Sequence, residues 1–268
     1  MIKAVFFDID GTLVSFNTHK ISDYSKKAIK ILKEKGIKIF IASGRALFQI
    51  DNLDGLEFDG YITINGGSCF INDNGSYKEI YRVSLDKNDL FALADYLNRD
   101  KFPCTVITSD NLYINYRGDA ISHLYNMANV KVPDFIDFND YIANNYESIL
   151  QLNIFVDEDK EKYLMDNILK NSKSSRWHFS FADVNSKYAG KEVGIDKIID
   201  YYGIDLSETM AIGDGGNDIS MIKHAAVGVA MGNANVFFDI DGTLVSFKTH
   251  KISDSSKEAI KILKEKGI

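Results

Sequence analysis

Cysteine, proline and tryptophan are scarce: 268 residues hold two, two and one of them. Cys69 and Cys104 have neither the number nor the spacing of a disulfide framework or a zinc site, so free thiols in a reducing compartment are expected. Positive charge is also in short supply. The 31 Lys and Arg against 38 Asp and Glu give a formal charge of -7 and a pI near 5.3, which excludes the basic stripe of a nucleic-acid-binding surface. No uninterrupted apolar run approaches the roughly 18 residues of a membrane span. The opening MIKAVFFDIDG is broken by Asp8 too early for a signal-peptide core. The expectation is a soluble, cytoplasmic protein. What is present is ordinary for a globular chain, 45% apolar and 26% charged, and the length admits one large domain or two modest ones.

One segment occurs twice. Residues 5–37 return at 236–268 with Lys248 for Asn17, Ser255 for Tyr24 and Glu258 for Lys27. Two copies at the two ends of a chain are not a solenoid period.

The first 65 residues alternate apolar strand-like runs with a helix-like segment, the rhythm of a parallel sheet with crossover helices. AVFFDI reads as a strand. From an N-cap at Ser22 or Asp23, a helix sets Ala28, Ile29 and Leu32 on one face and stops at Gly36. IKIFIA is a second strand, a helix is expected near Ala46, and Tyr61 to Ile64 is a third strand. Asn74-Gly75, between two period-2 runs, is a hairpin turn.

The rhythm changes over residues 84–183. A helix over Asp86 to Arg99 presents Leu90, Leu93, Ala94 and Leu97, and ILQLNIFV and RWHFSFA read as strands. The parallel pattern then resumes with a helix at Ile195 to Tyr202 and strands at Thr209 to Gly213 and Val227 to Ala230. The expected organisation is a core of 1–83 and 184–268 around an inserted unit of 84–183.

In open α/β sheets reactive groups gather past the carboxyl ends of the strands. Here the strand ends carry Asp8 and Asp10 with Gly11-Thr12, then Ser43-Gly44-Arg45, then Asn65-Gly66, then Asp214-Gly215-Gly216-Asn217-Asp218. Converging carboxylates repel unless a cation neutralises them, and an all-oxygen ligand set favours a hard ion such as Mg2+. Phosphoryl chemistry requires such a metal, backbone amides, a fixed cation and an in-line nucleophile. Lys191, just before a crossover helix, is the candidate cation. Each piece alone has a plainer reading: Asp-x-Asp-Gly-Thr as a turn or calcium loop, Ser-Gly-Arg as a helix cap, Lys191 as a surface residue. Their common position at strand ends favours the chemical one.

At these motifs, and along FFDIDGTLVSF, FIASGR, GYITINGG, FADVN and GDGGNDISMIKHAAVGVAMGNA, the sequence resembles the haloacid dehalogenase superfamily. Within it the resemblance is to Cof-type sugar phosphatases with a class II (type B) α/β cap, above all bacterial hexose-phosphate phosphatases. It implies a Rossmann-like parallel-sheet core, the inserted α/β cap, and Mg2+-dependent hydrolysis of small phosphorylated metabolites, hexose phosphates foremost, through an aspartyl-phosphate on Asp8. By motif, Asp8 would be nucleophile and metal ligand. Asp10 would be general acid and base, with its backbone carbonyl on the metal. Gly11, Ser43, Gly44, Lys191 and Asn217 would hold the phosphoryl group, and Asp214 and Asp218 would complete the metal site. The cap would select the alcohol. The expected partner is the small metabolite, not nucleic acid or membrane, and the chain is expected as a monomer or weak homo-oligomer. A phosphomutase on the same core and a non-enzymatic phospho-acceptor module are the alternatives. The sequence departs from the family after MGNAN, where the second copy replaces the usual tail.

Overall fold

The computed structural model describes residues 1–232 except 17, 51, 52, 74, 117, 119–124, 126–131 and 179. The second copy at 236–268 lies outside the described residues.

Strand β1 (Ala4–Phe7) is buried on both faces, which is what an unbroken apolar run in a parallel sheet predicts. It lies between β2 (Lys38–Ala42) and β12 (Thr209–Gly213), parallel to both. The full sheet runs β13 (Val227–Ala230), β12, β1, β2, β3 (Gly60–Thr63), β4 (Ser68–Asp73), β5 (Ser76–Arg82). It is parallel from β13 to β3 and antiparallel through β4 and β5, which the Gly75 turn joins. Val5 and Phe7, with Ile39 and Ile41, face helix α1 (Asp23–Glu34) and its Ile29. Phe6, Phe40 and Ile62 face the opposite way, onto Ile195 and Ile198 of α5 (Lys191–Tyr202) and Met221 of α6 (Ile219–His224). Helices therefore cover both faces, and the carboxyl ends of β1 and β12 are left as the crevice.

Ser22 caps α1, its Oγ accepting from the Ser25 N–H. Near Ala46, where the sequence predicts a helix, there is a single 3-10 turn, Leu47–Gln49. The Gln49 side chain folds back to accept from the Ala46 N–H, so the turn is closed before a second can form.

The second sheet, in the order β10 (Ser172–His178), β11 (Phe181–Ser186), β9 (Gln151–Ile154), β6 (Cys104–Ile107), β7 (Leu112–Ile114), β8 (Asp134–Phe135), belongs to the inserted unit. RWHFSFA is not one strand: the chain reverses between His178 and Phe181. Aromatic and polar residues keep alternating across the reversal, and no Gly or Pro marks it. One face of the sheet is apolar, with Cys104, Val106, Leu152, Ile154, Ala182 and Val184 under α2 (Lys87–Arg99), α3 (Phe138–Asn145) and α4 (Glu158–Asn167). The residues between them, Thr105, Gln151, Asn153, Asp183 and Asn185, must point to the other face by the two-residue period of a strand.

Ala4–Phe7 already fills the slot between β2 and β12. Asp239→Asn, in the second copy, is therefore expected to leave turnover unchanged, and a dead variant would show that the copies exchange places.

Candidate active site

Asp8 follows β1, where its N–H donates to Ile212 O of β12, and its side chain is buried. Lys191, the first residue of α5, is 1% exposed and donates from Nζ to Asp8 Oδ1 at 2.8 Å and to Asp218 Oδ1 at 2.5 Å. It is no surface residue. Removing one partner of a buried pair such as this costs about 3–5 kcal/mol, because an uncompensated charge stays behind. Burial outweighs the attraction of Lys191 and pushes the Asp8 carboxyl up from 3.8 to about 6, helped by the negative charges of Asp218 and Asp10. Burial works against the charge on Lys191 as well, but the two carboxylates more than offset it and its pKa is raised.

The β12 loop adds the other acids. Asp218 is fully buried, and its Oδ2 accepts from the backbone N–H of Asp214 and of Gly215, closing the loop on itself. Asp214 accepts from Thr12 Oγ1 at 2.8 Å, and burial raises its pKa. Gly11 is required here: its φ is +89°, and a Cβ would sit 2.1 Å from Asp214 Oδ2. Among the described residues, oxygens of Asp8, Asp214 and Asp218 lie within 4.8 Å of one another. Three hard oxygen donors beside the buried Lys191 fit a divalent metal such as Mg2+ or Mn2+ better than zinc.

Asp10 stands apart from this trio. Arg45 holds its carboxylate in a two-pronged pair, Nη2 to Oδ1 at 2.6 Å and Nε to Oδ2 at 2.8 Å. Ser43 is buried at the end of β2, with its Oγ accepting from the Arg45 N–H. Gly44 lies against the Asn65 amide, 3.1 Å from its Oδ1 to where a Cβ would be. Asn217 donates to that same Oδ1 at 3.0 Å. The structure thus places all nine sequence-derived residues (Asp8, Asp10, Gly11, Ser43, Gly44, Lys191, Asp214, Asn217 and Asp218) at the carboxyl ends of β1, β2 and β12 or at the head of α5.

Sequence reasoning passed over Thr12 and the Arg45 partnership. Both stood inside recognised motifs, but nothing in the sequence names a carboxylate partner. It also passed over the polar face of the second sheet, whose signal is the alternation in QLNI and ADVN.

Comparison with known proteins follows the same outline. The haloacid dehalogenase-like hydrolase family matches residues 5–235 and, separately, 236–268. The 5-amino-6-(5-phospho-D-ribitylamino)uracil phosphatase YwtE of Bacillus subtilis is 31% identical over 260 residues, covering 87% of this chain and 88% of the relative. The sugar phosphatase BT4131, of the family's subclass IIB, superposes with a TM-score of 0.78 at 39% identity, over 87% of this chain and 88% of its own. BT1666, a phosphatase of the same superfamily from Bacteroides thetaiotaomicron, gives 0.80 at 33% identity, over 100% and 96%. With the family matched from Val5 to Asn235 and the fold shared with these solved structures, the chain belongs to the haloacid dehalogenase-like hydrolases.

Proposed function

We propose that this hydrolase removes phosphate from sugar phosphates, hexose phosphates foremost, with Mg2+, through an aspartyl-phosphate on Asp8. Phosphatases among its relatives support action on phosphate monoesters. The observation that carries the reading is the buried Asp8–Lys191–Asp218 triad beside Asp214: a carboxylate nucleophile, a fixed cation and a metal-ligand set in one crevice.

The chain's own groups divide the work. Asp8 attacks phosphorus and the ester bond to the alcohol breaks. Lys191 and the amides around Ser43 and Gly44 neutralise and orient the phosphoryl oxygens. Asp10 gives a proton to the leaving alkoxide, then takes one from the water that cleaves the acyl phosphate, a contribution of about 10²–10⁴. It can donate only after its carboxyl has left the Arg45 fork. Asp8, Asp214 and Asp218, with the Asp10 carbonyl, would hold the metal, which supplies positive charge to the phosphoryl oxygens when bound. The core groups meet only phosphate, so the alcohol falls to the polar face of the second sheet.

A phosphate-release screen tests this. The panel includes hexose 1- and 6-phosphates, pentose phosphates and a sugar-alcohol phosphate carrying a pyrimidine, the compound class in the name of YwtE. Hexose phosphates are expected to rank first. Conversion of glucose 1-phosphate to glucose 6-phosphate without free phosphate would replace the phosphatase by a mutase. A preference for the pyrimidine compound would move the substrate class.

A further inference from the structure

Ile64, Asn65 and Gly66 follow one another with φ of +54°, +52° and +87°. Gly66 takes this freely, but a β-branched residue and a second non-glycine do so only where the surroundings over-determine them. Here they do. Ile64 is fully buried and packs on Ala46 of the core, on Ile107 of the second sheet and on Leu150, just before β9. The Ile64 N–H donates to Arg45 O and the Asn65 N–H to Ser43 O. A Cβ on Gly66 would sit 2.0 Å from the carbonyl oxygen of Gly190, the residue before Lys191. One strained turn thus meets the phosphate-side loop, the cap sheet and the base of the catalytic lysine.

The Asn65 side chain spans the two units. Its Oδ1 accepts from Asn217 Nδ2, in the core. Its Nδ2 points at three acceptors of the cap sheet: Gln151 Oε1 at 3.2 Å, Asp183 Oδ2 at 3.2 Å and Asn185 Oδ1 at 3.5 Å. The last is held acceptor-first, since Asn185 Nδ2 donates to Ile64 O, Leu150 O and Gln151 Oε1. Rotating the Asn65 amide by half a turn would put its oxygen against the Asp183 carboxylate and its N–H groups against those of Asn217. The cap therefore fixes which end of Asn65 faces the core, and that end sets the direction of Asn217.

We infer that Asn65 is a positioning residue: it makes the seating of the cap and the orientation of Asn217 a single event. The inference rests on the proposal that Asn217 serves the phosphate site.

Asn65→Gly tests it, because glycine keeps the left-handed backbone and removes only the amide. On a sugar phosphate that the wild type hydrolyses, kcat should fall about 10- to 100-fold, with KM within about threefold, the size of loss that misplacement of an active group produces. Asn217→Ala should lose a similar factor, and the double variant should be no worse than the poorer single by more than about threefold. A merely structural Asn65 would give multiplying losses, and that result, or wild-type kcat in Asn65→Gly, overturns the inference. Hydrogen exchange on the metal-free protein is the second arm: amides of Gly215 to Asp218 should exchange about tenfold faster in Asn65→Gly while those of β1 do not change. If the wild type hydrolyses no phosphate ester, the functional proposal fails, and exchange alone decides. Unchanged rates at Gly215 to Asp218 would then sink the coupling.

Discussion

Asp8→Asn is expected to abolish turnover, by about 10⁴-fold or more, because an amide is a poor nucleophile and no other described carboxylate sits where Asp8 does. The same change should reshape the pH dependence of stability in the metal-free protein. The folded-state pKa of Asp8 is raised from 3.8 to about 6, so between those values the native chain holds a proton that the unfolded chain has lost. Stability attributable to this group is therefore complete below pH 4 and declines as pH rises to about 6, by an amount on the order of 3 kcal/mol. The amide that replaces the carboxyl cannot titrate, so Asp8→Asn should lack that decline. Phosphate release measures the first effect, and melting temperatures from pH 4 to 7 in chelator measure the second. A variant with near-normal turnover would remove Asp8 from the mechanism, and an unaltered pH trend would remove it from the titration.

Stripping divalent metal should silence the wild type by about 10³-fold or more, with Mg2+ restoring it, since Lys191 alone cannot balance Asp8, Asp214, Asp218 and a phosphate dianion. Binding also has a readout that needs no substrate. Burial, with neighbouring carboxylates behind it, holds Asp8 and Asp214 toward the protonated form, and a cation among those oxygens favours the charged form, so Mg2+ should raise the melting temperature at pH 7 more than at pH 5. Full activity in excess chelator would refute the metal's role, and an equal thermal shift at both pH values would separate metal binding from Asp8.

Much of this site was legible because parallel sheets write themselves plainly. AVFF and KIFIA are apolar on both faces, so their ends are visible, and the residues at those ends form the crevice. Ser22 and Gly36 bounded α1 by ordinary capping chemistry. What was not legible depends on contacts distant in sequence. The left-handed Ile64 breaks a local preference that only packing across two sheets can override. Arg45 gives no sign that it reaches 35 residues back to Asp10. Asp218 could be read as a ligand from its loop, but nothing in the sequence shows that one of its oxygens also accepts from two backbone amides and the other from Lys191. The turn between β10 and β11 has no punctuating residue, so periodicity ran straight through it.

The alternation in the second sheet has an evolutionary consequence. Leu152 and Ile154 hold the cap together, whereas Asn153 between them, joined by Thr105 and Asp183, contributes nothing to that apolar layer. Under the proposed function, structural selection and substrate selection therefore act on different residues of the same strand. Thr105 is fully buried, so it is the partly exposed Asn153 whose drift can explore new alcohols without refolding the cap. Gln151, Asp183 and Asn185, tied to Asn65, lack that freedom, because a change there reaches the phosphate end that every substrate shares. Lineages that share this chain's polar rows should diversify at Asn153 and stay fixed at Gln151, Asp183 and Asn185.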